Sequence, residues 1–372
     1  MWHPIGSDGP EPGLHEQTAT GPAVPGPVCG ASTDMWSYSG DMQPLRARPL
    51  RRLHIDPGAP DPQAVARAAA VLRHGGLVGL PTETVYGLGA NAEDPDAVRR
   101  IFAAKGRPTD NPLIVHLASV DELSRVCPSI TPLARSLAER FWPGPLTIVL
   151  DASPDLPAVT TGGLTTVAVR VPDHVVALAV IEAAGVPVAA PSANRSGRPS
   201  PTTADHVAAD LAAHLDVLID AGPTGLGLES TVVDGRGSHP RIYREGAVTR
   251  EDLGVSAVPS TPDAPSPGTR YRHYAPACPI EILAPAELQD RARVLAGQGV
   301  RAGVVAPART PIGGALSIVS FADVDELARG LYGAFRDAEA AHVDVLLCSA
   351  VPETGVGRAV MDRLRRAADV EA

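Results

Sequence analysis

Lysine is almost missing from this chain. Of its 32 Lys and Arg residues in 372, all but one are arginine, and the exception is Lys105, in Ala-Ala-Lys105-Gly-Arg107-Pro. A chain that uses arginine wherever a generic positive charge suffices keeps its one lysine for a task arginine cannot do. A compact ammonium meets oxygens as a point charge, whereas a guanidinium is a planar fork. The scarcity also excludes a nucleotide class, because a Walker A loop needs Gly directly before its Lys and Lys105 follows Ala104. Aromatics make up 3% of the chain and the net charge is −10. Both argue against an extended nucleic-acid face and leave small anions in a local cationic pocket as the expected partners. Four cysteines, Cys29, Cys127, Cys278 and Cys348, show no Cys-x-x-Cys spacing, which argues against zinc or a disulfide framework and fits a cytoplasmic, reducing setting. No apolar run approaches the roughly 18 residues of a membrane span, and the N-terminus lacks an apolar signal core. Neither a Gly-x-Ser-x-Gly elbow nor a His-Glu-x-x-His pair occurs. Gly87-Leu-Gly89-Ala-Asn-Ala92 matches a dinucleotide fingerprint, but it begins seven positions past the expected strand end at Leu80, and the next helix opens only at Asp94.

What is present divides the chain into four parts. Residues 1–49 are rich in Pro, Gly, Ser and Thr without apolar periodicity, which predicts a disordered tail whose basic end, Arg46, Arg48, Arg51 and Arg52, is a solvated cluster. Over 53–254 short apolar runs alternate with helical stretches. Strands are expected at 77–80, 113–117, 146–150, 166–171, 186–190, 217–220 and 230–234, giving an α/β fold with a twisted mixed sheet and flanking helices. Residues 255–276 form a linker too aromatic and cationic for a plain spacer, and it is expected to reach back over a pocket. Residues 277–370 alternate strand and helix in the manner of a small Rossmann-like α/β domain. That domain has no Gly-rich phosphate loop or lysine of its own, so it reads as a lid or regulator.

Candidate site residues cluster at expected strand ends, where open α/β sheets bind ligands. Thr82, Thr84 and Tyr86 would share one face if their segment is extended. Lys105 and Arg107 give two adjacent cations where a helix ends at Gly106, and Pro108 extends Arg107. Arg170 closes an apolar strand and is costly there without an anion. Ser192 and Asn194 follow another strand, and Gly222 to Gly227 permit close backbone approach. His116, inside a strand, is by itself a structural histidine.

Taken together, Pro81-Thr-Glu-Thr-Val-Tyr-Gly-Leu-Gly89, Lys105-Gly-Arg-Pro-Thr-Asp-Asn-Pro-Leu-Ile-Val-His116, Trp142-Pro-Gly-Pro-Leu-Thr147, Pro191-Ser-Ala-Asn194 and Glu229-Ser-Thr231 resemble the YrdC-like family. With Ser266-Pro-Gly-Thr-Arg-Tyr-Arg-His-Tyr-Ala-Pro276 and the domain after it, the chain is similar to that family's long, two-domain threonylcarbamoyl-AMP synthases. The resemblance implies synthesis of L-threonylcarbamoyl-AMP from L-threonine, bicarbonate and ATP, with release of pyrophosphate. The product would pass to a separate transferase complex acting on the tRNA adenosine beside the anticodon. It implies L-threonine on Thr84, His116, Arg170 and Ser230 with the Ala190 backbone alongside. ATP would lie on Arg107, Asn111, Thr166, Ser192, Asn194, Ser200 and Arg244, covered by Tyr271, with Tyr274 the alternative. Lys105 and Arg107 would be catalytic, and Mg²⁺ would come with ATP rather than on protein side chains. Carbamoyltransferases of hydrogenase maturation share the first domain but carry zinc-finger cysteines that this chain lacks.

Overall fold

A computed structural model describes residues 50–255 and 274–368. The 1–49 tail and most of the linker, Tyr271 included, lie outside the described residues. Ten strands form the first sheet: β1 (Arg51–His54), β2 (Val78–Leu80), β3 (Gly87–Asn91), β4 (Ile114–His116), β5 (Leu146–Asp151), β6 (Thr166–Arg170), β7 (Val188–Ala189), β8 (Val217–Asp220), β9 (Thr231–Asp234) and β10 (Arg241–Arg244). Their order is β1-β8-β2-β3-β7-β4-β6-β5-β9-β10. The sheet is mixed: β4 runs parallel to β6, while β7 is antiparallel to both β3 and β4. Four further strands, β11 (Ile280–Leu283), β12 (Ala302–Pro307), β13 (Leu316–Phe321) and β14 (Val345–Ser349), make a separate parallel sheet in the order β11-β14-β12-β13. Among the described residues no helix is long and apolar enough to cross a membrane.

Local sequence explains the helix that carries Lys105. Asp94 caps it by accepting from the Asp96 and Ala97 amides, Pro95 takes a first-turn position, and Gly106 ends it at φ 60°. Val98, Ile101 and Phe102 bury its inner face. The chain then leaves the helix one residue after Lys105.

Three expectations need correction. Arg51 and Arg52 belong to edge strand β1, paired in parallel with β8, and Arg52 is held by Asp205 and Asp220 at 2.6 and 2.7 Å. They do not end a solvated tail. Gly87–Asn91, where no strand was expected, is strand β3, and its glycines admit neighbours that a Cβ would crowd, with Val188 Cγ1 3.1 Å from one built on Gly89. The Thr82 to Tyr86 segment bends instead of extending, so Tyr86 parts from the two threonines. Thr82 and Thr84 hydrogen-bond each other at 2.9 Å, while the Tyr86 hydroxyl donates to the Gly222 carbonyl at 2.7 Å.

Candidate functional site

Register brings the site together. His116 lies opposite Arg170 across the β4–β6 pair, so two strand ends more than fifty positions apart in sequence meet. The segment after β7 is fixed by the Ala190 amide donating to the Ile114 carbonyl at 2.9 Å, the Ala193 amide to Tyr86 at 2.8 Å, and a bridge between Gly87 and Ser192. The 229–231 turn enters β9, and Arg244 ends β10, donating Nε and Nη2 to the Ser230 carbonyl at 3.1 and 2.9 Å. Around the open cavity so formed stand Thr84, Arg107, His116, Arg170, Ala190, Ser192, Asn194, Ser230 and Arg244.

Nine expected site residues therefore converge, and five do not line the cavity or cannot be placed there. Tyr271 is outside the described residues. Thr166 shares the Arg170 face of β6 but lies four residues earlier, about 13 Å along the strand. Ser200 is buried and gives its hydroxyl to Glu229 at 2.5 Å. Asn111 is buried and directly precedes the lining residue Pro112. Lys105 is buried too, and its ammonium donates to the Ser192 and Asn194 carbonyls at 2.5 Å each, holding the cavity segment from behind. Burial, and then the neighbouring Arg107, hold the Lys105 pKa well below the usual lysine value.

The electrostatics of the cavity are cationic. Arg170 finds a protein anion: Glu83 is 2.6 Å from its Nη2, and its other nitrogens reach Thr84 Oγ1 at 2.9 Å and the Gly144 carbonyl at 3.1 Å. Arg107 is braced by the Asn111 and Pro112 carbonyls at 3.3 and 3.0 Å. Ser230 Oγ pairs with Thr147 Oγ at 2.7 Å. Among the buried polar atoms in this region without a hydrogen-bond partner among the described residues are Asn111 Nδ2, His116 Nδ1 and Asn194 Oδ1. Such atoms are rare in a finished core and mark places where a polar ligand completes the bonding.

Sequence reasoning missed Arg198, one arginine among many, and did not separate Glu229 from its motif; both surround the cavity. Tyr274, the alternative to Tyr271, does so as well, buried and at φ 69°. An aromatic in an otherwise Pro-rich linker was the available signal.

His116 supplies a pH test. Burial, then Arg170, pushes it down to about 3. The unfolded residue takes its proton near 6.5, so between these values the unfolded state holds more protons and stability is lost as the pH is lowered. By pH 4 the loss is on the order of 3 kcal/mol. Melting curves of wild type and His116→Gln from pH 7 to 4 should converge, since the variant lacks this part of the decline. Parallel curves would mean that His116 protonates freely in the fold.

Residues 70–246 match the family described as Telomere recombination, and residues 242–369 match Threonylcarbamoyl-AMP synthase, C-terminal domain. The Threonylcarbamoyl-AMP synthase of Bacillus subtilis is 44% identical over 326 residues, covering 83% of this chain and 93% of that protein. The Pyrococcus abyssi protein of the same name is 44% identical over 317 residues, covering 81% and 92%. The crystal structure of P. abyssi Sua5 complexed with L-threonine superposes with a TM-score of 0.77 at 41% identity, covering 86% of this chain and 97% of that one.

Proposed function

We infer the function from descent and geometry together: the chain belongs to the threonylcarbamoyl-AMP synthase family, and its cavity suits adenylation of a carbamate of L-threonine by ATP. The observation that carries this is the convergence of Thr84, His116, Arg170 and Ser230 on one cavity beside Arg107, Ser192 and Arg244. Threonine's carboxylate pairs with Arg170, whose other contacts fix the guanidinium plane. Thr84 and Ser230 offer hydroxyls. Neutral His116 offers a ring nitrogen without adding charge. Because the Ala190 amide is spent on Ile114, any contact from Ala190 falls to its carbonyl.

Threonine's free amine takes up bicarbonate, forming an N–C bond with loss of water and giving N-carboxy-threonine. One carboxylate oxygen then attacks the α-phosphorus of ATP, an O–P bond forms, and the bond to pyrophosphate breaks. No covalent enzyme intermediate is needed. The residues position the two substrates, and Arg107 and Arg244 offset charge on the phosphates. Glu229, the carboxylate among the residues around the cavity, is committed to Ser200, Tyr332 and Arg363. That donor set does not fit a resident cation, so Mg²⁺ enters as the Mg–ATP substrate, held by phosphate oxygens. The product serves threonylcarbamoylation of tRNA by a partner transferase in the cytoplasm.

Purified chain should release pyrophosphate only when ATP, bicarbonate and L-threonine are all present, and should incorporate ¹³C-bicarbonate into the product. Release independent of threonine would sink the assignment.

A further inference from the structure

The second domain reaches the cavity wall of the first. Tyr332, on the helix Val324–Ala340, donates its hydroxyl to Glu229 at 2.9 Å from Oε2 and 3.1 Å from Oε1. Arg363, on the helix Gly357–Ala368, donates Nε to the same Oε2 at 2.9 Å. All three residues are buried, Arg363 completely. Tyr274 lies on the same seam, with its ring centroid 5.5 Å from that of Tyr332 and 5.4 Å from the Arg363 guanidinium. The approach is close enough to require glycine at 227: a Cβ there would come within 2.5 Å of Arg329 Cα, and φ is +79°.

Glu229 surrounds the cavity and directly precedes Ser230, whose carbonyl accepts from Arg244. Burial opposes its charge, yet Arg363 and then Arg244 hold it below the usual carboxylate range. One buried anion thus lies in the fields of two cations, one from each domain. A buried carboxylate stripped of one partner is strongly unfavourable and turns to the next cation within reach. Among the cations lining the cavity, Arg244 is the one whose field already acts on Glu229, and it is anchored on the carbonyl of the next residue, Ser230.

We propose that the second domain is a positioning part of the nucleotide pocket: Tyr332 and Arg363 occupy Glu229, so the carboxylate does not capture Arg244, whose guanidinium serves the ATP phosphates. This rests on the function inferred above. Tyr332 and Arg363 are positioning residues, since they act through Glu229. Another pair across the seam, Arg358 with Glu251 at 2.7 Å, touches no cavity residue and serves as a control.

The test is steady-state pyrophosphate release by the full chain, titrating ATP and threonine separately, with a melting curve for each variant. Arg363→Met should raise the ATP KM at least tenfold and leave the threonine KM within threefold. Adding Glu229→Gln removes the charge that captures Arg244, and should recover most of the ATP KM. Arg358→Gln should move neither constant. An unchanged ATP KM in folded Arg363→Met, or no recovery in the double variant, would reduce the seam to a structural latch and overturn the proposal. Should Arg363→Met not fold, Tyr332→Phe removes one hydroxyl and should raise the ATP KM about threefold, and an unchanged value overturns it equally. Wild type inactive in pyrophosphate release would count against the function instead, and calorimetric ATP binding by the same variants would then decide the positioning role.

Discussion

Lys105→Arg is expected to lower kcat by about 10²-fold or more, the scale of losing a preorganised donor, and to lower the melting temperature by about 5 °C. The ammonium lies within 2.5 Å of the Ser192 and Asn194 carbonyls in a buried site, where a guanidinium has neither the room nor the geometry to replace it. Overpacking there pushes the segment that carries Ser192 and Asn194 out of register with Arg107 across the cavity. Lys105→Met, which keeps the length but donates nothing, leaves two carbonyls short of a donor at about 1–3 kcal/mol each. It should be the less stable of the two. Turnover is read as threonine-dependent pyrophosphate release beside a melting curve. Normal turnover in a folded Lys105→Arg enzyme would overturn the special role of the lone lysine. Lost turnover with unchanged melting would put the ammonium on the substrate instead of behind the loop.

The lone lysine shows what could and could not be read from the residues. That Lys105 does something specific followed from composition, and that its helix ends there followed from Asp94, Pro95 and Gly106. Which oxygens it meets depends on where the chain places Ser192, eighty-seven positions later, and no local pattern encodes that distance. Strands built from short apolar runs, such as Thr166–Arg170 and Val217–Asp220, were legible. Strand β3 was not, because Gly-Leu-Gly-Ala-Asn lacks the β-branched and aromatic residues that signal a strand, and packing against β2 and β7 overrides propensity. Strand β1 carries two arginines whose charge disguised a sheet edge, although Arg52 is neutralised by Asp205 and Asp220. Glu229 was visible within its motif, but its partners Tyr332 and Arg363 come from the other domain, more than a hundred residues on. A pairing between domains leaves no periodicity behind.

Arg170→Met is expected to abolish threonine-dependent turnover and to destabilise the fold by about 3–5 kcal/mol, the cost of breaking a buried pair from one side. The stability loss comes from Glu83, whose carboxylate is 2.6 Å from Arg170 and has no other partner to turn to among the described residues. The loss of function comes from the other side of the guanidinium, which faces the cavity and, as proposed, the threonine carboxylate. A second substitution separates the two effects. In Glu83→Gln with Arg170→Met no buried charge is stranded, so much of the lost melting temperature should return. The threonine carboxylate still has no cation to meet, so the threonine KM should stay raised by at least about a hundredfold, the scale of a charge-assisted bidentate contact worth roughly 3 kcal/mol. ATP binding, measured alone, should be near normal in the double variant, because Arg107 and Arg244 are untouched. If threonine-dependent turnover returned along with stability, Arg170 would be a structural counterion to Glu83 and threonine's carboxylate would need another partner in the cavity.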